Sequence, residues 1–78
     1  MENKINLERI TIAPEIMGGQ PCIRGLRIPV SLIVRLVAHG KTSEEILMDY
    51  PELEGEDIKQ ALEYASWTVS EKLLTVGR

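Results

Sequence analysis

Prolines and glycines are unevenly spread along this chain of 78 residues, and their positions limit where helices can form. Most of them precede residue 30, and they are Pro14, Gly18, Gly19, Pro21, Gly25 and Pro29. Proline lacks a backbone donor and glycine weakens regular structure, so this part of the chain has room only for short extended segments. Downstream, these residues are widely spaced and leave three intervals long enough for helices.

Residues 1–29 are predicted to form a β-strand followed by a hairpin arm. Ile10-Thr11-Ile12 is a β-favouring triplet. Cys22-Ile23-Arg24 and Arg27-Ile28 would pair as a hairpin around a two-residue turn at Gly25-Leu26, where glycine supplies a positive φ. An isolated hairpin is only marginally stable in water, so it needs the first strand, the helices or another chain beside it.

Residues 30–76 are predicted to form a three-helix bundle. The expected helices run from about Pro29 or Val30 to His39, from Thr42 to near Tyr50, and from near Gly55 to about Thr75. The first has one narrow polar stripe, which predicts a helix that is buried nearly all round. The second begins with a capping box, in which Thr42 is followed three residues later by Glu45.

The length allows a single domain, residues 1–78, with a modest core. Aromatic residues make up only 4% of the chain and Phe is absent, so the core must be built from Ile, Leu and Val. A short capped helix, a turn with Pro51 and a longer helix resemble a helix-turn-helix. The predicted fold is therefore mainly α, a three-helix helix-turn-helix domain preceded by short N-terminal strands.

The third helix carries two apolar faces. Its core stripe, at about 100° per residue, comprises Ile58, Ala61, Leu62, Ala65, Val69 and Leu73. Trp67 and Leu74 point almost opposite to this stripe, and Tyr64 flanks them. A helix of about 20 residues is about 30 Å long, so its end should overhang so small a body. We expect Tyr64, Trp67 and Leu74 to contact a partner; the alternative is that the N-terminal hairpin folds back over Trp67.

Charge is divided between the two halves of the chain. Residues 1–43 carry a net charge of +3 and residues 44–78 a net charge of −6. The third helix opens with acidic residues that would repel phosphates, so docking as a recognition helix is disfavoured. If DNA is bound, the candidate contacts are Arg24, Arg27, Arg35 and Lys41. The alternative is that the hairpin arginines only solubilise the hairpin, or pair with acids of the third helix.

Catalytic chemistry has little support in this sequence, and we expect no enzyme, no cofactor and no bound metal. Cys22, the single cysteine, and His39, the single histidine, lack a third orienting residue for a nucleophilic dyad. Five acids crowd the turn before the third helix, and they are Asp49, Glu52, Glu54, Glu56 and Asp57. They lack the spacing of an EF-hand loop, so a solvated acidic cap is favoured over a cation site.

The first residues carry charge and lack an apolar run, so no signal peptide is expected. No apolar stretch approaches the length needed to span a bilayer. A cytoplasmic location without membrane contact is the resulting expectation.

One stretch resembles a known family signature. Gly18-Gly19-Gln20-Pro21-Cys22-Ile23-Arg24-Gly25-Leu26-Arg27-Ile28-Pro29-Val30 is similar to the Gly-Gly-Lys-Pro-Val-Ile-Arg-Gly-Thr-Arg-Ile-Pro-Val motif of the prokaryotic domain of unknown function 433 family. A second block also matches, comprising Gly40, Ser43, Glu44-Glu45-Ile46-Leu47, Asp49-Tyr50-Pro51, Leu53, Glu56-Asp57-Ile58 and Ala61-Leu62-Glu63-Tyr64-Ala65. The resemblance extends from about Ile10 to Trp67.

This resemblance implies a homeodomain-like three-helix fold and an antitoxin-like role in a type II toxin–antitoxin pair. Such proteins are expected to form homodimers, to inhibit a small PIN-like ribonuclease and to repress their own promoter. Two of the positions at which the chain departs from the motif, Gln20 in place of Lys and Leu26 in place of Thr, weaken any phosphate-binding role for the hairpin. The alternative function is a homodimeric DNA-binding transcriptional regulator without a toxin partner.

Overall fold

The computed structural model describes the backbone of residues 7–76 and the side chains of residues 7–69. The elements are strand β1 (Ile10–Thr11), a 3-10 turn (Met17–Gly19), strand β2 (Cys22–Ile23), and helices α1 (Val30–Ala38), α2 (Ser43–Asp49) and α3 (Gly55–Val76). The predicted mainly helical fold, with three helices after a short antiparallel pair of strands, is confirmed. No helix in the described part of the chain combines the length and the apolar content needed to cross a bilayer.

The two strands pair antiparallel, with Ile10 opposite Ile23 and Thr11 opposite Cys22. A second reversal of the chain follows β2, where the Ile23 N–H donates to the Ile28 carbonyl at 3.0 Å. The chain therefore turns back as predicted, but the predicted two-residue turn is wrong. Arg24 and Arg27 both lie in the loop, Arg27-Ile28 is not a strand, and β2 pairs with β1 and forms only an isolated bridge from Cys22 to Pro29 on its other side. Arg24 adopts a left-handed φ of 45°, which ends the extended backbone, and Gly25 follows with a φ of 73°.

Local capping signals place α1 and α2 where the sequence predicted them. The Thr42 hydroxyl accepts from the Glu45 N–H at 3.1 Å, and the Glu45 carboxylate accepts from the Thr42 N–H at 2.9 Å. Both halves of the capping box are thus present. At the end of α1, Gly40 has a φ of 93°, the left-handed geometry in which helices commonly terminate.

The core is aliphatic and comprises Ile23, Ile28, Val30, Ile33, Ile46, Leu53, Ile58 and Ala61. Helix α1 packs chiefly against α3. The expectation that α1 is buried nearly all round is wrong, because only Val30 and Ile33 of this helix are buried and Val37 is exposed. Helices α2 and α3 cover one side of α1, and they leave its outer side in water.

Helix α3 is much longer than its neighbours, with 22 residues against nine in α1 and seven in α2. Its core stripe is buried at Ile58 and Ala61 and half-buried at Leu62 and Ala65. Val69 was expected to continue this stripe but is 53% exposed, since α1 and α2 are too short to cover a helix of 22 residues along its whole length. The side chains of Leu73 and Leu74 lie outside the described residues.

The capping box gives a test of how much local structure contributes to stability. Replacing Thr42 by Ala removes the acceptor for the Glu45 N–H and should lower the free energy of unfolding by about 1 kcal/mol. Urea unfolding followed by circular dichroism measures the change. Ser43→Ala, at the next and equally exposed position, is the matched control and should have a much smaller effect. Equal losses in the two variants would contradict the assigned role of Thr42.

Candidate functional site

A buried carboxylate lies at the junction between the strand pair and the first turn of α3. Asp57 is fully buried and accepts two hydrogen bonds from the Arg24 guanidinium, from Nε to Oδ1 at 3.0 Å and from Nη2 to Oδ2 at 2.8 Å. The Arg9 guanidinium donates to Oδ1 at 2.9 Å. The backbone N–H of Glu54 donates to Oδ2 at 2.7 Å. We call Arg9, Arg24 and Asp57 the Asp57 cluster.

The pairing of β1 with β2 brings the two arginines together. Arg9 directly precedes β1 and Arg24 directly follows β2, so antiparallel pairing makes them neighbours across the strands. The Arg24 N–H donates to the Arg9 carbonyl at 2.7 Å and extends the ladder by one bond. Both side chains therefore reach the same end of α3, where their charges compensate a carboxylate that has been removed from water.

Gln60, one turn further along α3, is buried beside the Asp57 cluster. Its side-chain oxygen accepts from the backbone N–H of Arg9 at 2.9 Å, and its amide nitrogen donates to Glu56 at 3.2 Å. Arg9 also pairs with Glu54 at 2.7 Å. These bonds fix the start of the described chain onto α3. Arg9 Nε is the one buried side-chain polar atom of the described residues without a hydrogen-bond partner.

The hydrogen bond from Arg24, followed by that from Arg9, lowers the pKa of Asp57 from 3.8 to about 2. Hydrogen bonds to Glu54 and Asp57 raise the pKa of Arg9, and the bond to Asp57 raises that of Arg24. All three groups are therefore charged at neutral pH. A carboxylate held ionised in this way is suited to holding the fold together and is poorly suited to exchanging protons.

The four basic residues predicted as nucleic-acid contacts have different surroundings. Arg24 pairs with an acid of the third helix, which was one of the alternatives that the sequence left open. Lys41 pairs with Asp49 at 3.1 Å, and this hydrogen bond raises the pKa of Lys41. Arg27 and Arg35 are exposed and form no ion pair with any residue that the structure describes.

The predicted acidic cap before α3 is only partly solvated. Asp49, Glu52, Glu54 and Glu56 are exposed, but the expectation is wrong for Asp57, which is buried because two arginines compensate its charge. Within residues 7–69, no cluster of three or more His, Cys, Asp or Glu side chains is placed to hold a metal ion. Cys22 is buried in β2, and His39 is exposed at the end of α1.

The aromatic residues of α3 form a second surface, away from the core stripe. Tyr64 is half-buried and packs against the core, whereas Trp67 is 45% exposed. Their ring centroids are 6.2 Å apart with a 45° tilt, which is a favourable aromatic pair geometry. We call Tyr64 and Trp67 the aromatic face. Leu74, the third predicted member of this surface, has a side chain outside the described residues.

Sequence reasoning missed Arg9 and Gln60. The partial signal for the Asp57 cluster was Asp57 itself, three residues after Glu54, which is the spacing of a helix N-terminal capping interaction. Arg9 and Arg24 each lie next to a predicted strand. Tertiary packing decides which part of the domain that end of the strand contacts. Nothing local marks Gln60 as buried.

A model of the family described as "Protein of unknown function (DUF433)" matches residues 10–65. The chain belongs to the DUF433 family. A DUF433 crystal structure from Anabaena variabilis is similar in fold, with a TM-score of 0.75 and 33% identity over 90% of this chain and 69% of that one.

A curated relative, the uncharacterised protein y4eO of Sinorhizobium fredii, is 41% identical over 58 residues. The match covers 74% of this chain and 26% of the relative, so this chain spans about a quarter of that protein's length.

The structure gives the DUF433 signature residues of this chain specific roles in the fold. Arg24 supplies the bidentate contact to Asp57, and Gly25 allows the left-handed backbone that follows it. Leu26, where the expected motif has Thr, packs against the core. The hydroxyl of Thr11 accepts from the Gly25 N–H at 2.9 Å and so helps to hold the loop.

The Asp57 cluster makes a pH-dependent prediction for this DUF433 chain. Because folding lowers the pKa of Asp57 from 3.8 to about 2, its ionised form contributes stability above about pH 4 that is lost as the pH falls through about 2. Asp57→Asn should cost about 2 kcal/mol of unfolding free energy at pH 7, since it removes the carboxylate partner of Arg24 and one of the two carboxylates that pair with Arg9. The difference between the wild type and this variant should shrink toward pH 2.

Urea unfolding at a series of pH values measures this difference. Glu52→Gln, which removes an exposed carboxylate in the same region, is the matched control and should change stability by less than about 0.5 kcal/mol. A wild-type advantage over Asp57→Asn that stays constant from pH 7 to pH 2 would contradict an ionised, paired Asp57.

Proposed function

We propose that this DUF433 chain is an antitoxin-like protein that binds and inhibits a small PIN-like ribonuclease. The observation that carries the proposal is the exposed Trp67 of the aromatic face, on a helix more than twice as long as either of the other two. The likeness of the chain's signature to that of antitoxin-like proteins supplies the class of partner.

Exposure of Trp67 supports a binding role because tryptophan contributes more than most residues when it is buried at an interface. The Tyr64 ring packs against the core and lies next to the Trp67 ring, so it restricts the movement of the indole. A preorganised aromatic residue loses little conformational entropy on binding. The charged Asp57 cluster, at the other end of the described part of α3, holds that helix against the strands.

The charge of the α2–α3 half also fits this class of partner. Glu54 and Asp57 are paired within the chain, but Glu44, Glu45, Glu52, Glu56 and Glu63 are exposed without an ion pair to any described residue. A ribonuclease must present a basic surface to RNA phosphates. An acidic partner is electrostatically complementary to that surface and would compete with RNA for it.

Trp67→Ala provides the test of this function. The complex of the purified chain with the candidate ribonuclease should weaken by about 2 kcal/mol, or roughly 30-fold in Kd, and inhibition of RNA cleavage should be lost in parallel. Calorimetry gives the Kd, and a labelled RNA substrate reports the cleavage. Ser66→Ala, at the adjacent exposed position, is the matched control. An unchanged Kd for Trp67→Ala would remove this role for the aromatic face.

A second candidate function is a homodimeric DNA-binding regulator, and one observation favours it. Arg27 and Arg35 remain exposed without a carboxylate partner among the described residues, whereas Arg24 and Lys41 are paired. Free guanidinium groups are the usual contacts to DNA phosphates. The two functions are compatible, because the arginines and the aromatic face belong to different elements of the fold.

This second function predicts an affinity for duplex DNA that falls steeply as salt is raised. Arg27→Ala and Arg35→Ala should each reduce the slope of log K against log salt by about one. Fluorescence anisotropy with the DNA upstream of the coding sequence measures the slope. Lys59→Gln removes an exposed charge from the acidic half and should leave the slope unchanged. Binding that is absent, or independent of salt, would exclude the regulator function.

A further inference from the structure

The aromatic face has an acidic neighbour that narrows down what it binds. Glu63 lies one turn before Trp67 in α3, and residues four apart are neighbours on a helix surface. Glu63 is exposed and forms no ion pair with any residue that the structure describes. Glu63, Tyr64 and Trp67 therefore form a patch in which a carboxylate lies one helical turn from an exposed indole, with the Tyr64 ring packed near that indole.

We propose that this patch receives an arginine side chain of a basic protein partner. The guanidinium would stack on the indole of Trp67 and donate hydrogen bonds to the Glu63 carboxylate. This inference rests on the proposed function and specifies the chemistry of the same site.

Charge complementarity determines the kind of occupant. Between Glu44 and Val69 the sequence has eight acids and a single base, Lys59, so a partner must bring positive charge to this half of the domain. Arginine suits the patch better than lysine does. Its planar guanidinium stacks on aromatic rings and binds carboxylates through two donors, whereas an ammonium group is a strongly hydrated point charge.

The charge of Lys59 should weaken the binding of an arginine side chain to this patch, and this effect can be tested. It lies one turn before Glu63 and is the only base among the described side chains of α3. The ammonium of Lys59 lowers the negative potential at Glu63 and repels an incoming guanidinium. Removing this charge should therefore strengthen the binding of an arginine, which is a change in the opposite direction to the loss of Glu63.

The chain contains one tryptophan, so tryptophan fluorescence, excited selectively over the two tyrosines, reports on Trp67 alone. In the experiment, the 78-residue chain is titrated with a short Gly-Arg repeat peptide and, separately, with the matched Gly-Lys peptide. We expect the Gly-Arg peptide to change the Trp67 emission and to bind several-fold more tightly than the Gly-Lys peptide. Glu63→Gln should weaken binding of the Gly-Arg peptide by about fivefold, and Lys59→Gln should strengthen it by about twofold.

Glu44→Gln, at an exposed carboxylate on α2, is the control for general attraction between an acidic domain and a basic peptide. Equal weakening by Glu63→Gln and Glu44→Gln, or equal affinity for the two peptides, would overturn the inference. An emission shift that depends on the protein's own concentration, without peptide, would also overturn it and would assign the patch to a second copy of the chain.

The arginine contact and the proposed ribonuclease binding can fail independently, and the experiments distinguish the two failures. If the ribonuclease complex is weakened by Trp67→Ala but is indifferent to Glu63→Gln, the function stands and the arginine contact is excluded. If no ribonuclease is bound but the Gly-Arg peptide binds with the expected dependence on Glu63, the arginine site stands and its partner belongs to another class of basic protein.

Discussion

The removal of the Asp57 carboxylate from water is the constraint on which the remaining architecture depends. A buried charge without compensation would cost several kcal/mol, so the folded state requires Arg9 and Arg24 to be in place. Those two residues lie on either side of the paired strands, and they can reach Asp57 together only when β1 and β2 are in register. The cluster thus links the formation of a very short strand pair to its docking on α3.

This linkage explains how strands of only two residues can persist. An isolated hairpin of that length would be marginal in water. Here the strands are held at one end by the Asp57 cluster and Gln60, and on their inner side by Ile23 in the core. With the start of α3 fixed in this way, the much shorter α1 and α2 cannot cover its whole length, and Trp67 and Val69 remain in contact with solvent.

The aromatic face and the Asp57 cluster differ in how far the sequence could predict them. Tyr64 and Trp67 could be proposed from helical periodicity alone, since they fall off the core stripe of α3. The assignment of Arg24 stayed open between nucleic acid and an acid of the third helix, because both choices suit an arginine beside a turn. Its bond to Asp57 spans 33 positions in the sequence, and that of Arg9 spans 48, so no local pattern encodes them.

The sequence by itself determined the bounds of the helices and the existence of a strand pair, because caps and breakers such as Thr42 with Glu45, Gly40 and Pro29 act within a few residues. Only the tertiary structure decided which charged side chains pair with one another within the domain and which remain free for a partner. Arg9, Arg24 and Asp57 are residue types that usually lie at the surface, and the burial of Asp57 against the two arginines follows from the packing of the strands on α3. Hydrophobic patterning likewise cannot predict which residues the neighbouring elements will cover. Val69 belongs to the core stripe in the sequence but is exposed in the structure.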